Sequence, residues 1–151
     1  AAFAWGRIAC ARSSAWSSQS PSAVAIAAKS VVACAGQLVE RHEGEVPGSM
    51  AELTALAGVG RKTANVVRSV AMGLPGLPVD THVLRLSKRL GLTTETDPVK
   101  VEYELNPMVP EAERGEFSLR IILHGRRVCF ARKPNCGGCA LADFCPSAGA
   151  A

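Results

Sequence analysis

The chain has 151 residues, of which 48% are hydrophobic and 5% aromatic, and its formal net charge is +4. A chain of this length and composition buries a real core without relying on disulfides, and it contains no run of 18 apolar residues that would span a membrane. Abundant alanine and few aromatic residues favour helices over a β-sandwich.

The N-terminal part of the chain gives little local signal. Residues 1–21 show no periodic pattern and are taken as an irregular segment. The first 39 residues contain no Asp or Glu, and together with Arg7, Arg12 and several serines they resemble an organellar transit peptide. Because the chain begins with Ala and not Met, a fragment or a processed start is the alternative.

Helical periodicity and capping signals predict six helices in succession. Ser49 and Glu52 form a capping box. Asp80 and Asp97 are typical N-cap residues. The predicted helices run from Ser22 to about His42, from Ser49 to Leu56, from Arg61 to about Met72, from Asp80 to Leu90, from Asp97 to before Pro107, and from Glu111 to His124.

The pattern of apolar residues sets the fold class. The apolar face of the first helix is predicted to carry Val24, Val31, Leu38 and their neighbours, and its polar face Gln37, Glu40 and Arg41. No segment alternates as a strand does, so the predicted fold class is all-α. Residues 22–110 are expected to form a helical domain, and residues 111–151 a last helix followed by a cysteine-rich loop.

Two glycines, Gly58 and Gly60, form a tight turn between the second and third predicted helices. Glycine permits such a turn and a close approach by another chain, and the helix that follows directs free N–H groups and partial positive charge outward. The adjacent Arg61 and Lys62 favour phosphate binding there over a plain helical hairpin. The candidate binding residues are Gly58, Val59, Gly60, Arg61, Lys62 and Thr63.

Basic residues are also concentrated in two other places, where they form either a solvated face or contacts to phosphates. One group comprises Arg114, Arg120, Arg126, Arg127, Arg132 and Lys133, and the other comprises Arg85, Lys88 and Arg89.

Four of the six cysteines lie within 17 positions, with the spacing C-x6-C-x2-C-x5-C. Thiolates this close in sequence can surround one metal centre. Zinc is the main alternative, although four-cysteine zinc sites usually show two short knuckles and this sequence has one. Two disulfides are the other alternative, which an intracellular location disfavours. The four cysteines are Cys129, Cys136, Cys139 and Cys145.

Three motifs resemble those of one protein family. Residues 56–67 look like the helix-hairpin-helix of endonuclease III, and Val79-Asp80-Thr81-His82 looks like the catalytic aspartate segment of that family, in the same order. The cysteine spacing matches the family's [4Fe-4S] loop. The chain is therefore identified as a member of the endonuclease III-like DNA glycosylases of the helix-hairpin-helix superfamily, similar from roughly Ala25 to Pro146. One departure is Ala57, where the family usually has proline.

The resemblance implies a base excision repair enzyme that removes oxidised pyrimidines from double-stranded DNA and cleaves abasic sites. Lys62 is the expected nucleophile: its deprotonated amine attacks the sugar to form a Schiff base, and β-elimination then breaks the 3′ phosphodiester. Positive charge on Arg61 is expected to help Lys62 lose its proton. Asp80 is expected to stabilise positive charge on the sugar or to shuttle protons. The adenine-excising branch typically has serine at the lysine position, so Lys62 favours the bifunctional branch.

The resemblance also implies an architecture. A partial helical barrel and a lobe that carries the [4Fe-4S] cluster would hold DNA between them, with the target nucleotide flipped out of the stack. The four cysteines are the implied cluster ligands. Apart from the resemblance, His82 is expected to be a histidine of the helix surface or one that contacts a site residue, and His124 to pack the last helix against the cysteine loop.

About three N-terminal helices of the family pattern, and its L-S-x-Q-x-T-D stretch, are not found before residue 22. The hypothesis is a truncated or diverged member with weakened base selection. The alternative is a catalytically weak or inactive DNA-binding module of the same fold, and a third interpretation is a zinc or iron domain that docks to protein. A monomer is expected, away from membranes, in the bacterial cytoplasm or nucleoid, or in an organelle or nucleus.

Overall fold

A computed structural model describes residues 23–149, which form an all-helical structure without strands in that range. The predicted all-α fold is therefore confirmed, while the segment 1–21 lies outside the described residues. Within the described part of the chain, no helix combines the length and apolar character needed to cross a bilayer. The six α-helices are α1 (Ala23–His42), α2 (Met50–Ala55), α3 (Arg61–Val66), α4 (Thr81–Arg89), α5 (Pro98–Leu105) and α6 (Arg114–Arg127).

Local side-chain caps determine where three of these helices begin. The Ser49 hydroxyl accepts a hydrogen bond from the Glu52 N–H at the start of α2. The carboxylates of Asp80 and Asp97 each accept from two backbone N–H groups in the first turns of α4 and α5. These bonds satisfy amides that a helix leaves without intrahelical partners, so the capping predictions are confirmed.

Two hydrophobic cores organise the fold. The larger core joins α4, α5 and α6 and is built on apolar residues that each contribute about 1.5–3 kcal/mol by burial. The smaller core joins α2 and α3 through Leu53, Leu56 and Ala64, and Cys34 and Leu38 of α1 pack against it. The larger core consists of Leu77, Val79, Val83, Leu86, Val101, Leu105, Val109 and Ile121.

The predicted apolar face of α1 is wrong at Val31, whose surface is 68% exposed. The side of α1 that packs against the hairpin carries Cys34 and Leu38. Alanines and valines occur all around this helix, so the apolar pattern did not distinguish the packed side. Val24 lies in a part of α1 whose side-chain environment is not described.

Two helices differ from their predicted course. α6 continues past His124 to Arg127, because Gly125 is an interhelical contact and not a helix end. A Cβ atom on Gly125 would lie 3.0 Å from His82 Cδ2 and 3.1 Å from Arg85 Nη2 of α4. The third predicted helix widens into a π-helical turn at Val67–Ala71, where Arg68 donates to the carbonyl groups of Pro75 and Gly48.

Polar contacts join the two cores. The guanidinium of Arg61 makes two hydrogen bonds of 2.8 and 2.9 Å to the carboxylate of Glu102 on α5. The Leu77 N–H donates to Asn65 Oδ1 over 3.2 Å. These contacts fix α3 against the segment that leads to Asp80, and therefore fix the glycine turn relative to α4.

Candidate nucleic-acid and iron–sulfur site

The glycine turn between α2 and α3 is a tight four-residue turn. The Val59 N–H donates to the Leu56 carbonyl over 3.1 Å, and Gly58, the third residue of the turn, has φ of +77°. A type II turn requires positive φ at this position, which glycine adopts without strain. Gly60 then forms the N-cap of α3 and has no side chain to accept from the first helical turn. The turn and the N-cap therefore leave the N–H groups of Gly58 and of residues 60–63 without a hydrogen bond within the described part of the chain.

The residues that follow the turn differ in their exposure to solvent and in their contacts. Lys62 and Thr63 are exposed, whereas Ala64 and Asn65 are buried. Arg61, which is predicted to supply positive charge beside Lys62, is paired with Glu102 and lies 4.8 Å from the centre of the Tyr103 ring. Hydrogen bonding to the Glu102 carboxylate raises the pKa of Arg61 above its ordinary value. The charge of Arg61 is thus compensated within the protein.

Lys62 lies at the edge of a groove between α3 and α6. The groove encloses about 1110 Å³ of empty space, part of which is open to solvent. Its walls are largely apolar and include Val66 and Leu119, and Pro78, two residues before Asp80, also lines it. The fold therefore brings Lys62 and the start of the Asp80 segment to one surface depression.

Asp80 is both the N-cap of α4 and the acceptor for a histidine. Its Oδ1 accepts from the N–H groups of His82 and Val83 over 2.8 and 2.9 Å, and its Oδ2 lies 3.1 Å from His82 Nδ1. Partial burial alone would raise the pKa of Asp80, but the hydrogen bonds from Val83 and His82 outweigh it and lower the pKa below its ordinary value. Asp80 is therefore an ionised, oriented carboxylate, and the predicted place of His82 beside it is confirmed.

The basic residues separate into structural and exposed groups. Arg85 and Arg89 donate to carbonyl groups of the cysteine loop, and Arg114 and Arg120 have carboxylate partners. A different group is exposed and has no ion-pair partner within residues 23–149. It comprises Arg126, Arg127, Arg132 and Lys133, which follow or end α6.

The four cysteines of the predicted loop line one cavity with about 380 Å³ of empty space, part of it open to solvent. All four are free thiols and half-buried, so the disulfide alternative is not formed. Among residues 23–149, no three ligand-type side chains lie close enough to hold a single ion. A zinc ion needs its sulfurs within about 2.3 Å of one point, whereas a [4Fe-4S] cluster takes one thiolate at each iron. The thiols distributed around one cavity fit the cluster.

Hydrogen-bond donors surround these sulfurs. Arg89 Nη1 lies 3.2 Å from Cys129 Sγ, and the Leu141 N–H lies 3.4 Å from Cys139 Sγ. His124 Nε2 lies 3.5 Å from Cys139 Sγ, which confirms that His124 packs the last helix against the loop. Donors directed at sulfur suit thiolates, because a negatively charged acceptor strengthens the hydrogen bond.

Sequence reasoning missed Glu102 and the structural use of Arg85 and Arg89. Arg61 and Glu102 are 41 positions apart, and Arg89 and Cys129 are 40 positions apart. No local signal connects residues at such separations. The signal that could have been used is the recurrence of basic residues along α4, at Arg85, Lys88 and Arg89, which is compatible with a helix that faces an anionic centre.

Comparison with known proteins agrees with both parts of the site. Residues 41–70 match the helix-hairpin-helix motif, and residues 129–145 match the iron-sulfur binding domain of endonuclease III. The fold and the loop together define a helix-hairpin-helix protein that carries a [4Fe-4S] cluster, as predicted.

Similarity to individual proteins points to one family. The chain is 54% identical over 122 residues to endonuclease III of Synechocystis sp., covering 80% of this chain and 56% of that protein. It is 43% identical over 118 residues to endonuclease III of Escherichia coli K12, covering 78% of this chain and 56% of that protein. The chain is similar to members of the endonuclease III family over about four-fifths of its own length, and it spans about half the length of the curated relatives it matches.

Solved structures of the family share the fold. A non-covalent endonuclease III–DNA complex superposes with a TM-score of 0.75 at 41% identity, covering 80% of this chain and 57% of that chain. A trapped covalent intermediate of endonuclease III with DNA superposes with a TM-score of 0.76 at 42% identity and the same coverages, 80% and 57%.

Proposed function

We propose that this chain is a base excision repair enzyme that removes oxidised pyrimidines from double-stranded DNA and cleaves abasic sites through a Schiff base. The observation that carries the proposal is the exposed amine of Lys62, which follows a turn with unpaired backbone N–H groups and lines a groove. Relatives of known structure were captured on DNA, one of them covalently. A non-catalytic DNA-binding module would have no need of an amine at this position.

The proposed DNA contacts have two parts. The backbone N–H groups of Gly58 and of residues 60–63 bind a backbone phosphate, because no hydrogen bond within residues 23–149 engages them and they lie at a point of partial positive charge, whereas the Val59 N–H closes the turn. The exposed basic group Arg126, Arg127, Arg132 and Lys133 contacts further phosphates. Binding through several phosphates predicts a steep loss of affinity as salt is raised.

Lys62 and Asp80 divide the proposed chemistry between them. The deprotonated Lys62 amine attacks the sugar carbon, the glycosidic bond to the damaged base breaks, and the base departs with a proton. The sugar ring then opens by cleavage of its C1′–O4′ bond, the ring oxygen takes a proton, and the C=N bond of the Schiff base forms. The Schiff base acidifies the neighbouring carbon, which loses a proton as the 3′ C–O bond breaks and the phosphate leaves. The ionised Asp80 stabilises the positive charge that develops on the sugar. One chain supplies both residues, so the proposal requires a monomer only.

Cys129, Cys136, Cys139 and Cys145 are the proposed ligands of the [4Fe-4S] cluster, because they line one cavity. When bound, the cluster crosslinks the loop through iron–thiolate bonds. The loop in turn carries Arg132 and Lys133, so its shape decides where those charges meet DNA. Such an enzyme acts in a compartment that contains DNA.

Borohydride trapping tests the proposal. The cluster-containing protein is mixed with a duplex that holds one abasic site, and borohydride reduces any Schiff base to a permanent crosslink. We expect a crosslink in the wild type and in Lys88→Ala, which removes another exposed lysine, and none in Lys62→Ala. A crosslink that persists in Lys62→Ala would contradict the assignment. Salt-sensitive binding without any crosslink would instead favour a DNA-binding module.

A further inference from the structure

Helix α1 supports the glycine turn from behind through one side chain. Gln37 Oε1 accepts a hydrogen bond of 2.7 Å from the backbone N–H of Ala57, 20 residues further along the chain. The contact is partly buried. An amide group that had no acceptor at this place would be costly, because a buried backbone donor without a partner loses its hydration.

The turn itself makes no use of this N–H. Ala57 is the second residue of the turn, and the turn's own hydrogen bond runs from the Val59 N–H to the Leu56 carbonyl. In a type II turn the second residue has φ near −60°, the value that proline fixes by its ring. Alanine leaves this angle free in the unfolded chain and adds a donor that must be satisfied. Gln37 supplies the acceptor. Its hydrogen bond thereby fixes the backbone of Ala57, which a proline ring would fix covalently.

A second contact from the same side of α1 reaches the next residue of the turn. A Cβ atom on Gly58 would lie 2.8 Å from the Cβ of Ser30, so this glycine touches α1 at close range. Ser30 and Gln37 are two helical turns apart on α1, and Cys34 between them packs against the hairpin core. One side of α1 therefore contacts both central residues of the turn.

We propose that Gln37 is a positioning residue for the phosphate-binding turn, and this rests on the function proposed above. By fixing Ala57 it fixes the direction of the amides that follow, up to the N-cap Gly60 and the first turn of α3. Hydrogen bonds to a phosphate depend steeply on that direction. Gln37 acts through its hydrogen bond to Ala57, so its removal is expected to weaken binding and to leave the chemical step at saturating DNA unchanged.

Four variants test this: Gln37→Leu, Gln37→Glu, Ala57→Pro and the double variant Gln37→Leu/Ala57→Pro. The measurements are the Kd for an abasic-site duplex, the single-turnover cleavage rate at saturating DNA, and the Tm. We expect Gln37→Leu to raise Kd about three- to tenfold, the effect of one lost hydrogen bond. Gln37→Glu keeps an acceptor at the same place and is expected to bind within about twofold of the wild type. In the Ala57→Pro background, Gln37→Leu is expected to leave Kd unchanged.

The comparison of Gln37→Leu in the wild-type and Ala57→Pro backgrounds separates a positioning role of Gln37 from a general contribution to stability. If Gln37→Leu lowers affinity equally in the wild-type and Ala57→Pro backgrounds, the proposal is overturned, and a Gln37→Leu variant with wild-type Kd overturns it too. Amide hydrogen exchange of Val59 and Ala64, whose N–H groups donate to the Leu56 and Gly60 carbonyls, gives a reading in the free protein that needs no DNA. Exchange there should accelerate in Gln37→Leu and not in the double variant, and unchanged exchange would also overturn the positioning role. If the wild type fails to bind DNA, the proposed function fails while the exchange measurement still decides the role of Gln37.

Discussion

The hairpin and the cysteine loop, the two parts of the site, are held in place by different forces. The hairpin has its own core of Leu53, Leu56 and Ala64, and a side-chain cap starts its first helix. Residues 130–149 of the cysteine loop contain no buried side chain, and Phe144 is 83% exposed. The hairpin is therefore stabilised by apolar burial, as ordinary helices are, whereas the loop needs another source of order.

Two features supply that order. Arg85 donates to the Cys129 carbonyl over 3.0 Å, and Arg89 donates to the carbonyls of Phe130 and Ala131 over 2.7 and 3.0 Å. Metal ligation supplies the rest, because a site that exists only in the folded state converts binding free energy into folding free energy. The hairpin is expected to fold without iron, and the loop is not.

The largest expected effect comes from removing a proposed cluster ligand. Cys139→Ala should lose most of the bound iron, and amide exchange should accelerate across residues 128–149 while α2 and α3 keep their protection. Cys34→Ala is the matched control, because this half-buried cysteine packs against the hairpin core, and the variant should retain iron. Iron content, visible absorbance and hydrogen-exchange mass spectrometry provide the measurements. Equal loss of protection in the hairpin would show that the two regions are not independent.

The reverse experiment weakens the hairpin core. Leu53 is 1% exposed, and Leu53→Ala should cost about 2–5 kcal/mol of unfolding free energy through lost burial and the cavity left behind. Leu119→Ala removes the same atoms from a largely exposed site and should stay within about 0.5 kcal/mol of the wild type. Denaturant unfolding followed by circular dichroism measures both. Iron content per folded chain should be the same in the two variants, and a lower value in Leu53→Ala would argue against separate support.

The next prediction separates the capping role of Asp80 from its proposed chemical role, and the expected change in stability is smaller. Asp80 and Asp97 are both N-caps that accept two backbone N–H groups, so Asp→Ala should cost about 1 kcal/mol at either position. Asp80→Asn and Asp97→Asn keep a capping oxygen and should unfold close to the wild type. Only Asp80→Asn should lose base excision, measured on a duplex with an oxidised pyrimidine. Excision that survives Asp80→Asn would leave Asp80 as a cap alone.

The smallest expected effect is a shift of the acid limb in the pH profile of abasic-site cleavage. The folded pKa of Asp80 is lowered, so the stability from its charged form is present above the ordinary pKa of the unfolded carboxyl and is lost as pH falls through the folded value. His82→Ala removes one of the hydrogen bonds that lower this pKa, so the acid limb of the abasic-site cleavage profile should move to higher pH. His42→Ala, on α1, should leave the limb in place. An unchanged limb in His82→Ala would mean that another group controls it.

Features set by neighbouring residues were determined by the sequence itself. The caps at Ser49, Asp80 and Asp97 follow from side chains that bond their own local backbone. The all-α fold follows from the periodicity of apolar residues, and the tight turn follows from the positive φ that glycine permits at position 58. The cysteine spacing predicted an iron–sulfur loop for a similar reason, since its ligands lie within a short stretch of chain. The assignments of Lys62 and Asp80 to chemistry stay predictions.

Contacts between distant segments were decided only by the tertiary structure. The pairing of Arg61 with Glu102, the use of Arg89 at the loop and the support of Ala57 by Gln37 join residues 20 or more positions apart. The packed side of α1 is likewise set by a later segment of the chain, the hairpin. An arginine looks the same in a sequence whether it meets a phosphate, a carboxylate or a carbonyl group. Which partner it meets depends on how two hydrophobic cores pack against each other, and that packing is a property of the whole chain.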